Sequence, residues 1–329
     1  MSGPSFHYVR ATGLEDAVAA GGKRGAVYLA GGTDLLQLWK AGLAAPQEVI
    51  DISRLPLTDI FRDGDTLVLG ALARLSDASA HPDVRTLHPL IRDAILASAS
   101  GQVRNLATVG GNLLQRTRCP YFRDQAFACN KRDPGTGCGA HDDENRQAAI
   151  FRGSEGCVAT HASDLAVALV ALDAEIMIKG AAGERQIALQ QLYPLPGSSA
   201  APDSSLAPGD MITAIRVRNA RKFAQRSTFL KIRDRASFEF AVVSVAAALR
   251  VEDGVIAEAR LAAGGVAPLP WRLSRSEAAL IGRAPTQQTL LAAGESAIEG
   301  ARALEKNAFK IPLLHNAVIR ALRTIGGQA

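Results

Sequence analysis

The stretch GAVYLAGGTDLLQLWKAG, Gly25–Gly42, decides how the first half of the chain is read. Gly25–Ala30 is a short apolar run that predicts a strand, Gly31-Gly32-Thr33-Asp34 a tight turn, and Leu35–Gly42 a short helix whose first turn carries Asp34. A strand, a glycine turn and a helix N-terminus in succession aim backbone N–H groups at one point, the usual setting for a pyrophosphate. The same turn also serves as a plain helix cap.

Working outward, Glu48–Ile52 predicts a second strand, and Leu57–Phe61 with Thr66–Gly70 a hairpin turning at Asp63-Gly64. Thr86–Ala99 predicts one amphipathic helix. Thr108-Val109-Gly110-Gly111-Asn112 then offers a second glycine turn, with a hydroxyl and a carboxamide beside it. Each turn alone is weak evidence, but two together point to a dinucleotide clamped from two loops. Further on, Ser163–Leu172 reads as a helix, Glu175–Lys179 and Gln186–Leu189 as strands, Pro194–Pro208 as a surface connection and Met211–Val217 as a strand. A second module begins near Phe223. Its predicted strands are Ser227–Lys231, Ala241–Arg250 and Val255–Ala263, and its helices Leu273–Ile281, Thr286–Leu304 and Ile311–Ile325. Strands first and helices afterwards predict an α+β module with helices packed on one face of an antiparallel sheet.

Composition excludes several classes. The 329 residues are 47% hydrophobic and 21% charged, ordinary for a globular protein of two or three domains. The longest apolar stretches, Leu165–Leu172 and Ala241–Leu249, reach only about half a bilayer span, so no transmembrane helix is expected. Met1–Arg10 has neither a basic n-region nor an apolar h-region, so no secretory signal is expected on this chain, which reads as made in soluble form. The net charge of +5 carries no long single-sign block. The densest basic stretch, Arg216–Arg226, holds five cations and only Phe223 as an aromatic, which reads as a solvated loop or subunit contact rather than a nucleic-acid footprint.

All four cysteines fall between Cys119 and Cys157, spaced Cys119-x9-Cys129-x8-Cys138-x18-Cys157 in a segment without hydrophobic period. Four soft thiolates suit tetrahedral zinc or an iron–sulfur cluster, and ligand chemistry alone does not choose. No pair has the C-x2-C spacing of zinc knuckles, and the wide intervals favour a bulky cluster. Two disulfides are disfavoured by the missing export signal; four unrelated thiols is the plain alternative. Gly135-Thr136-Gly137-Cys138-Gly139-Ala140 matches G-x-G-x-x-A, but it follows no strand and precedes no helix, so it reads as flexible backbone shaping the cysteine loop. The six histidines are scattered, and there is no G-x-S-x-G, H-E-x-x-H or P-loop. The chain reads as a holder of redox cofactors rather than a site of substrate bond-making.

Four blocks now carry a resemblance: LAGGTDLLQLWKAG (Leu29–Gly42), ASGQVRNLATVGGNLLQ (Ala99–Gln115), SDLAVALVALDA (Ser163–Ala174) and FLKIRDRASFEFAVVSVAAAL (Phe229–Leu249). In this order they resemble the FAD-binding medium subunit of molybdenum hydroxylases, the group of xanthine dehydrogenase, carbon monoxide dehydrogenase and aldehyde oxidoreductase. The insertion Arg116–His161, with NLLQRTRCPYFRD and CNKRDPGTGCGA, is similar to that of bacterial periplasmic-type aldehyde oxidoreductases and analogous to that of 4-hydroxybenzoyl-CoA reductase. The FAD subunits of both carry an extra [4Fe–4S] cluster.

The resemblance implies a two-subdomain FAD-binding domain of the vanillyl-alcohol-oxidase (PCMH) type over 1–219, with 116–161 as an inserted cluster loop. An α+β C-terminal domain of the carbon monoxide dehydrogenase flavoprotein type would follow over 223–329. Ala30, Gly31, Gly32, Thr33, Asp34 and Leu35 fall on the family's pyrophosphate turn, and Thr108, Gly111 and Asn112 on the second FAD turn. Asp164 falls on an acidic residue touching the ribityl or adenosine side, with a helix N-cap beside Ser163 as its plainer role. Lys231 falls on a lysine near the flavin, and Gln115 stands where xanthine dehydrogenases have threonine. Arg118 would offset negative charge at the flavin or the cluster, while Cys119, Cys129, Cys138 and Cys157 would ligate the cluster.

The implied function is electron transfer in a heterotrimer. Electrons would come from a large molybdenum-cofactor subunit through a small [2Fe–2S] subunit and leave from FAD to a soluble acceptor, with aldehyde oxidation on the large subunit. The compartment would be the periplasm by co-export with a signal-bearing partner, or the cytoplasm. The alternatives are the FAD subunit of a xanthine dehydrogenase or of a hydroxybenzoyl-CoA-reductase-like enzyme, a free-standing flavin oxidase, and a zinc-binding assembly protein without redox activity.

Overall fold

In a computed structural model describing residues 5–197, 200 and 202–326, three sheets and twelve α-helices organise the chain. Parts of the expected Pro194–Pro208 connection and of Met1–Arg10 fall outside the described residues. The first unit comprises His7–Arg10 (β1), Leu14–Gly21 (α1), Ala26–Leu29 (β2), Leu35–Lys40 (α2) and Glu48–Asp51 (β3). Its strands are parallel in the order β1-β3-β2, with Tyr8 and Tyr28 flanking Val49 and Ile50.

A five-stranded sheet follows. Ile60–Asp63 (β4) and Thr66–Gly70 (β5) form the expected hairpin, displaced by one residue: Asp63 pairs with Thr66, so the turn residues are Gly64 and Asp65. Gly64 sits at φ 60°, which a glycine adopts without cost. Six helices then precede the inserted segment or lie in it: Leu75–Ala80 (α3), Pro82–Leu87 (α4), Pro89–Ala97 (α5), Gly101–Arg104 (α6), Val109–Leu113 (α7) and Pro120–Arg123 (α8). The single helix expected over Thr86–Ala99 is divided at His88. Pro89 has no N–H to give and pushes the residue before it out of the helical region, so His88 takes φ −134°, ψ 52°.

After the insertion come Asp164–Ala171 (α9), Glu175–Gly180 (β6), Gly183–Ala188 (β7) and Met211–Arg218 (β8), giving the sheet order β4-β5-β8-β6-β7. Every residue of α9 is buried. A helix apolar all round has no solvent face, and α9 is enclosed between the five-stranded sheet and the C-terminal module.

That module holds Ser227–Ile232 (β9), Val243–Glu252 (β10), Val255–Gly264 (β11) and Trp271–Arg272 (β12) in the antiparallel order β12-β11-β10-β9, then Ser274–Leu280 (α10), Gln287–Ala297 (α11) and Lys310–Gly326 (α12). Its sheet is covered on both faces. Val243, Val245, Ala247 and Leu249 enter the core under α10–α12, whereas Ala246 and Ala248 join Leu165, Ala166 and Leu169 of α9 in the central core. The near-continuous apolar run of β10 follows from this double burial. The helix expected over Thr286–Leu304 stops at Ala297: Gly300 turns at φ +79°, and the Arg302 N–H donates to the Ile150 carbonyl, drawing the chain onto the inserted segment.

The architecture is thus the expected α+β one. The basic stretch Arg216–Arg226 is consumed in contacts. Arg216, Arg218, Arg221 and Lys222 pair with Asp63, Glu175, Asp65 and Glu258, and Arg226 donates to the Ile325 carbonyl. Among the described residues no helix is long and apolar enough to cross a membrane.

Candidate cofactor site

The turn after β2 and the turn before α7 are pressed together. A Cβ on Gly31 would collide with the Leu106 carbonyl oxygen and come within 2.8 Å of its carbon; one on Gly110 would meet Ala71 at 3.0 Å. Gly32 sits at φ +70°. The second turn is fixed by its own cap, the Gly111 N–H donating to Thr108 Oγ at 3.2 Å, and by Val109 and Gly110 donating to the carbonyls of Ala73 and Ala71. Asn112 is tied to α9, its amide oxygen accepting from the Ser163 hydroxyl at 2.6 Å. Ser163 is also the N-cap of α9, leaving the Asp164 carboxylate for other partners.

Those partners are buried. Lys231 on β9 reaches Asp164 at 2.7 Å and the Ala97 carbonyl at 3.1 Å, and the Ser98 hydroxyl donates to Asp164 at 3.0 Å. Burial raises the Asp164 carboxyl above the ordinary carboxylate range, opposed by Lys231 and Ser98.

Between these elements lies a cavity of about 470 Å³. Ala30, Gly31, Gly32, Thr33, Asp34, Leu35, Thr108, Gly111, Asn112, Gln115, Arg118, Asp164 and Lys231, picked from sequence in four separate segments, all line it. The missing Cβ atoms let backbone approach backbone at its wall, and Asp34 leaves the start of α2 without a side-chain cap. An anionic dinucleotide fits this lining: backbone amides at the first glycine turn, the Thr108 and Asn112 side chains at the second, and the cations Lys231 and Arg118.

Asp34 turns its carboxylate toward the inserted segment, accepting the Arg116 N–H at 2.8 Å, Arg118 at 2.8 Å and Arg123 at 3.0 Å. Arg118 also reaches Gln115 and lies over the Phe240 ring at 4.8 Å. Sequence reading missed Arg123, Ser98 and Phe240. Arg123 and Phe240 lie inside the quoted blocks, but no local pattern marks them for the site, and only the folded chain brings all three to the cavity region.

The four cysteines form no disulfide. Cys129 and Cys138 face each other across an isolated antiparallel bridge, and Cys157 pairs with Ser154 in another. Cys119 packs beside Cys129 in one small core and beside Cys138 in the next. The Cys119 and Cys157 thiols are close enough to feel each other and Cys129; burial pushes Cys119 up to about 11 and Cys157 also upward. Gly135 and Gly137 lie at φ 94° and 101°, and both donate N–H bonds to the Asn130 side-chain oxygen, so the G-x-G-x-x-A segment is a shaped turn of this loop. Among the described residues no three of His, Cys, Asp and Glu converge on the spacing of one metal ion. Four thiols on one segment, within electrostatic reach of one another, are a donor set for either zinc or an iron–sulfur cluster.

The family described as FAD binding domain in molybdopterin dehydrogenase matches residues 4–218, and CO dehydrogenase flavoprotein C-terminal domain matches 228–324. The chain is 41% identical over 329 residues to the aldehyde oxidoreductase FAD-binding subunit PaoB of Escherichia coli (strain K12), covering 99% of both chains. It is 27% identical to the carbon monoxide dehydrogenase medium chain of Hydrogenophaga pseudoflava, over 98% of this chain and 97% of that one. A solved structure of a Hydrogenophaga pseudoflava carbon monoxide dehydrogenase lacking the Mo-pyranopterin moiety of its cofactor superposes with a TM-score of 0.75 at 26% identity, covering 99% and 98% of the two chains.

Proposed function

Since this chain belongs to the family of FAD-binding domains in molybdopterin dehydrogenases and is an oxidoreductase subunit, we propose that it is the FAD and [4Fe–4S] electron-transfer subunit of a molybdenum-dependent aldehyde oxidoreductase. The observation that carries this reading is the convergence of both glycine turns, Asp164 and Lys231 on one cavity, with Arg118 joining that cavity to Cys119.

Gly31, Gly32 and the start of α2, with Thr108, Gly111 and Asn112, hold the pyrophosphate. Asp164 and Gln115 orient the ribityl and ring portion. Bound FAD supplies a ring that exchanges electrons singly with metal clusters and in pairs with other acceptors. On the cavity wall, Lys231 and Arg118, each paired with a carboxylate, would favour the reduced form to the extent that they face the ring. Phe238 and Phe240, both exposed, line the cavity from the C-terminal module. Cys119, Cys129, Cys138 and Cys157 hold the cluster. Aldehyde oxidation belongs to a large molybdenum-cofactor subunit, linked by a small [2Fe–2S] subunit in a heterotrimer, with a soluble acceptor on this side.

A visible spectrum of the anaerobically purified chain tests the reading. Flavin bands with a broad shoulder near ~400 nm that dithionite bleaches are expected. A colourless, zinc-loaded protein overturns it.

A further inference from the structure

The inserted segment and the glycine cradle are joined by two links of different chemistry. The first is ionic. All three groups that hold the Asp34 carboxylate come from the first eight residues of the insertion: the Arg116 N–H, Arg118 and Arg123, with Cys119 between them. The second is apolar. Helix α2, which leaves the cradle, buries one residue, Leu38, and Leu38 packs in a small core with Phe122, Cys129 and Cys119. The core beneath the three-stranded sheet takes no residue from α2. Phe122 is 1% exposed, with the guanidinium groups of Arg116 and Arg123 at 4.4 and 5.7 Å from its ring. The one buried residue of the cradle helix therefore rests on the cysteine segment, while Trp39 on the same helix meets Phe6 edge-on at 4.5 Å in its own unit.

That segment has little independent order. Between Arg116 and His161 the only helix is the single turn Pro120–Arg123, and the only strand-like pairings are two isolated bridges, both involving cysteines. The later part of the segment is tied to the C-terminal module through Ile150, Phe151 and Lys310, so ligation would order chiefly the part from Cys119 to Cys138, where ligand binding is then folding energy.

We propose that ligation of the four cysteines sets the flavin affinity of the cradle, with Asp34 and Phe122 as the positioning residues that couple the two. A loaded loop holds Arg118 and Arg123 on Asp34 and Phe122 under Leu38; an unloaded loop releases both, and the turn at Gly31–Asp34 loosens. By linkage, bound flavin protects the loop to the same degree. This rests on the reading above, that the loop takes an iron–sulfur cluster and the cavity takes FAD.

The test is a titration of FAD into the anaerobically purified full-length chain, followed by flavin fluorescence, with iron analysis alongside. Cys129→Ser lies outside the cavity lining; it is expected to lose iron and to bind FAD about tenfold more weakly. Asp34→Asn is expected to weaken FAD while keeping its iron. The double variant should bind little worse than Cys129→Ser alone, because both changes break one contact. An iron-free Cys129→Ser chain that binds FAD as tightly as the parent, or a double variant whose losses multiply, overturns the proposal. If Cys129→Ser does not fold, Phe122→Ala and Phe122→Leu carry the test: weakening by alanine with recovery by leucine supports it, and unchanged affinity in both overturns it. A parent chain that holds no iron or binds no FAD overturns the underlying reading instead, before any variant is compared.

Discussion

Lys231 Nζ stands 2.7 Å from an Asp164 carboxylate oxygen, and the two side chains, 4% and 6% exposed, meet at the wall of the cavity. One comes from β9 and the other from the first turn of α9, so the pair pins the C-terminal sheet to the first domain. Removing one partner of a buried pair leaves the other charge without compensation, a loss of about 3–5 kcal/mol. Lys231→Met is accordingly expected to lower the urea midpoint strongly. The double variant Lys231→Met, Asp164→Leu should recover much of the stability but not the flavin affinity. Equal destabilisation by the single and double variants would show that the pair contributes packing rather than charge.

Gly31 and Gly111 sit in equivalent turns yet should respond differently to alanine. At Gly31 the new methyl meets backbone at Leu106, which cannot swing aside, so the two turns must separate. At Gly111 it meets only the Thr108 hydroxyl at 2.8 Å, which can rotate at the expense of one capping bond. FAD binding should fall by about 100-fold or more for Gly31→Ala and by about tenfold for Gly111→Ala, since each tenfold is about 1.4 kcal/mol. Equilibrium dialysis of FAD against each variant checks the order, and a Gly31→Ala chain with parental affinity contradicts the close approach of the two turns.

The parts of the site that were legible in sequence are those a short window contains. Gly31-Gly32 and Gly110-Gly111 announce turns because only glycine tolerates such contact, and Ser163 announces a cap three residues before Ala166. The apolar run of β10 was visible, but strands followed by helices predict cover on one face of its sheet only, and the cover of the other face by α9 comes from a segment about eighty residues away. By contrast β1, His7–Arg10, and α1, Leu14–Gly21, were not recognised: β1 has four residues and is held by a parallel neighbour about forty residues away. The grip of Arg123 on Asp34 spans 89 residues, and no local pattern encodes it. His88 shows the opposite failure, a continuous helical period overridden by one proline.

Lys310, 1% exposed, opens α12 and gives all three ammonium protons to carbonyls: Gln147 at 2.9 Å, Ala148 at 3.0 Å and Gly265 at 2.8 Å. Burial draws its pKa down to about 7, while the three carbonyl acceptors favour the ammonium. Beside it Asn307 donates to Ala148 and Ala149, so this corner of the C-terminal module fastens the insertion. Lys310→Met keeps most of the volume and takes the donor from the Gln147 and Gly265 carbonyls, at about 1–3 kcal/mol each if water does not enter, while Ala148 keeps its bond from Asn307. Limited proteolysis should then cut within 142–149 faster than in the parent, while the helices of the C-terminal module stay protected in hydrogen exchange.

His88 gives the chain a defined acid sensitivity. It lies between α4 and α5, 3% exposed, with Nδ1 unpartnered among the described residues. Burial lowers its pKa to about 4, with Arg62 acting in the same direction and Asp83 against it. The unfolded chain takes up this proton near the ordinary histidine value of about 6.5, the folded chain only near 4. The stabilising contribution is therefore fully present above about pH 6.5 and is lost as pH falls through the window down to 4, by at most about 3 kcal/mol. Urea unfolding at pH 7.5 and pH 4.5 should show a larger drop for the parent than for His88→Asn, whose side chain does not titrate. If both lose stability equally across that interval, His88 takes up its proton in the folded chain as readily as in the unfolded one, and the acid sensitivity lies elsewhere.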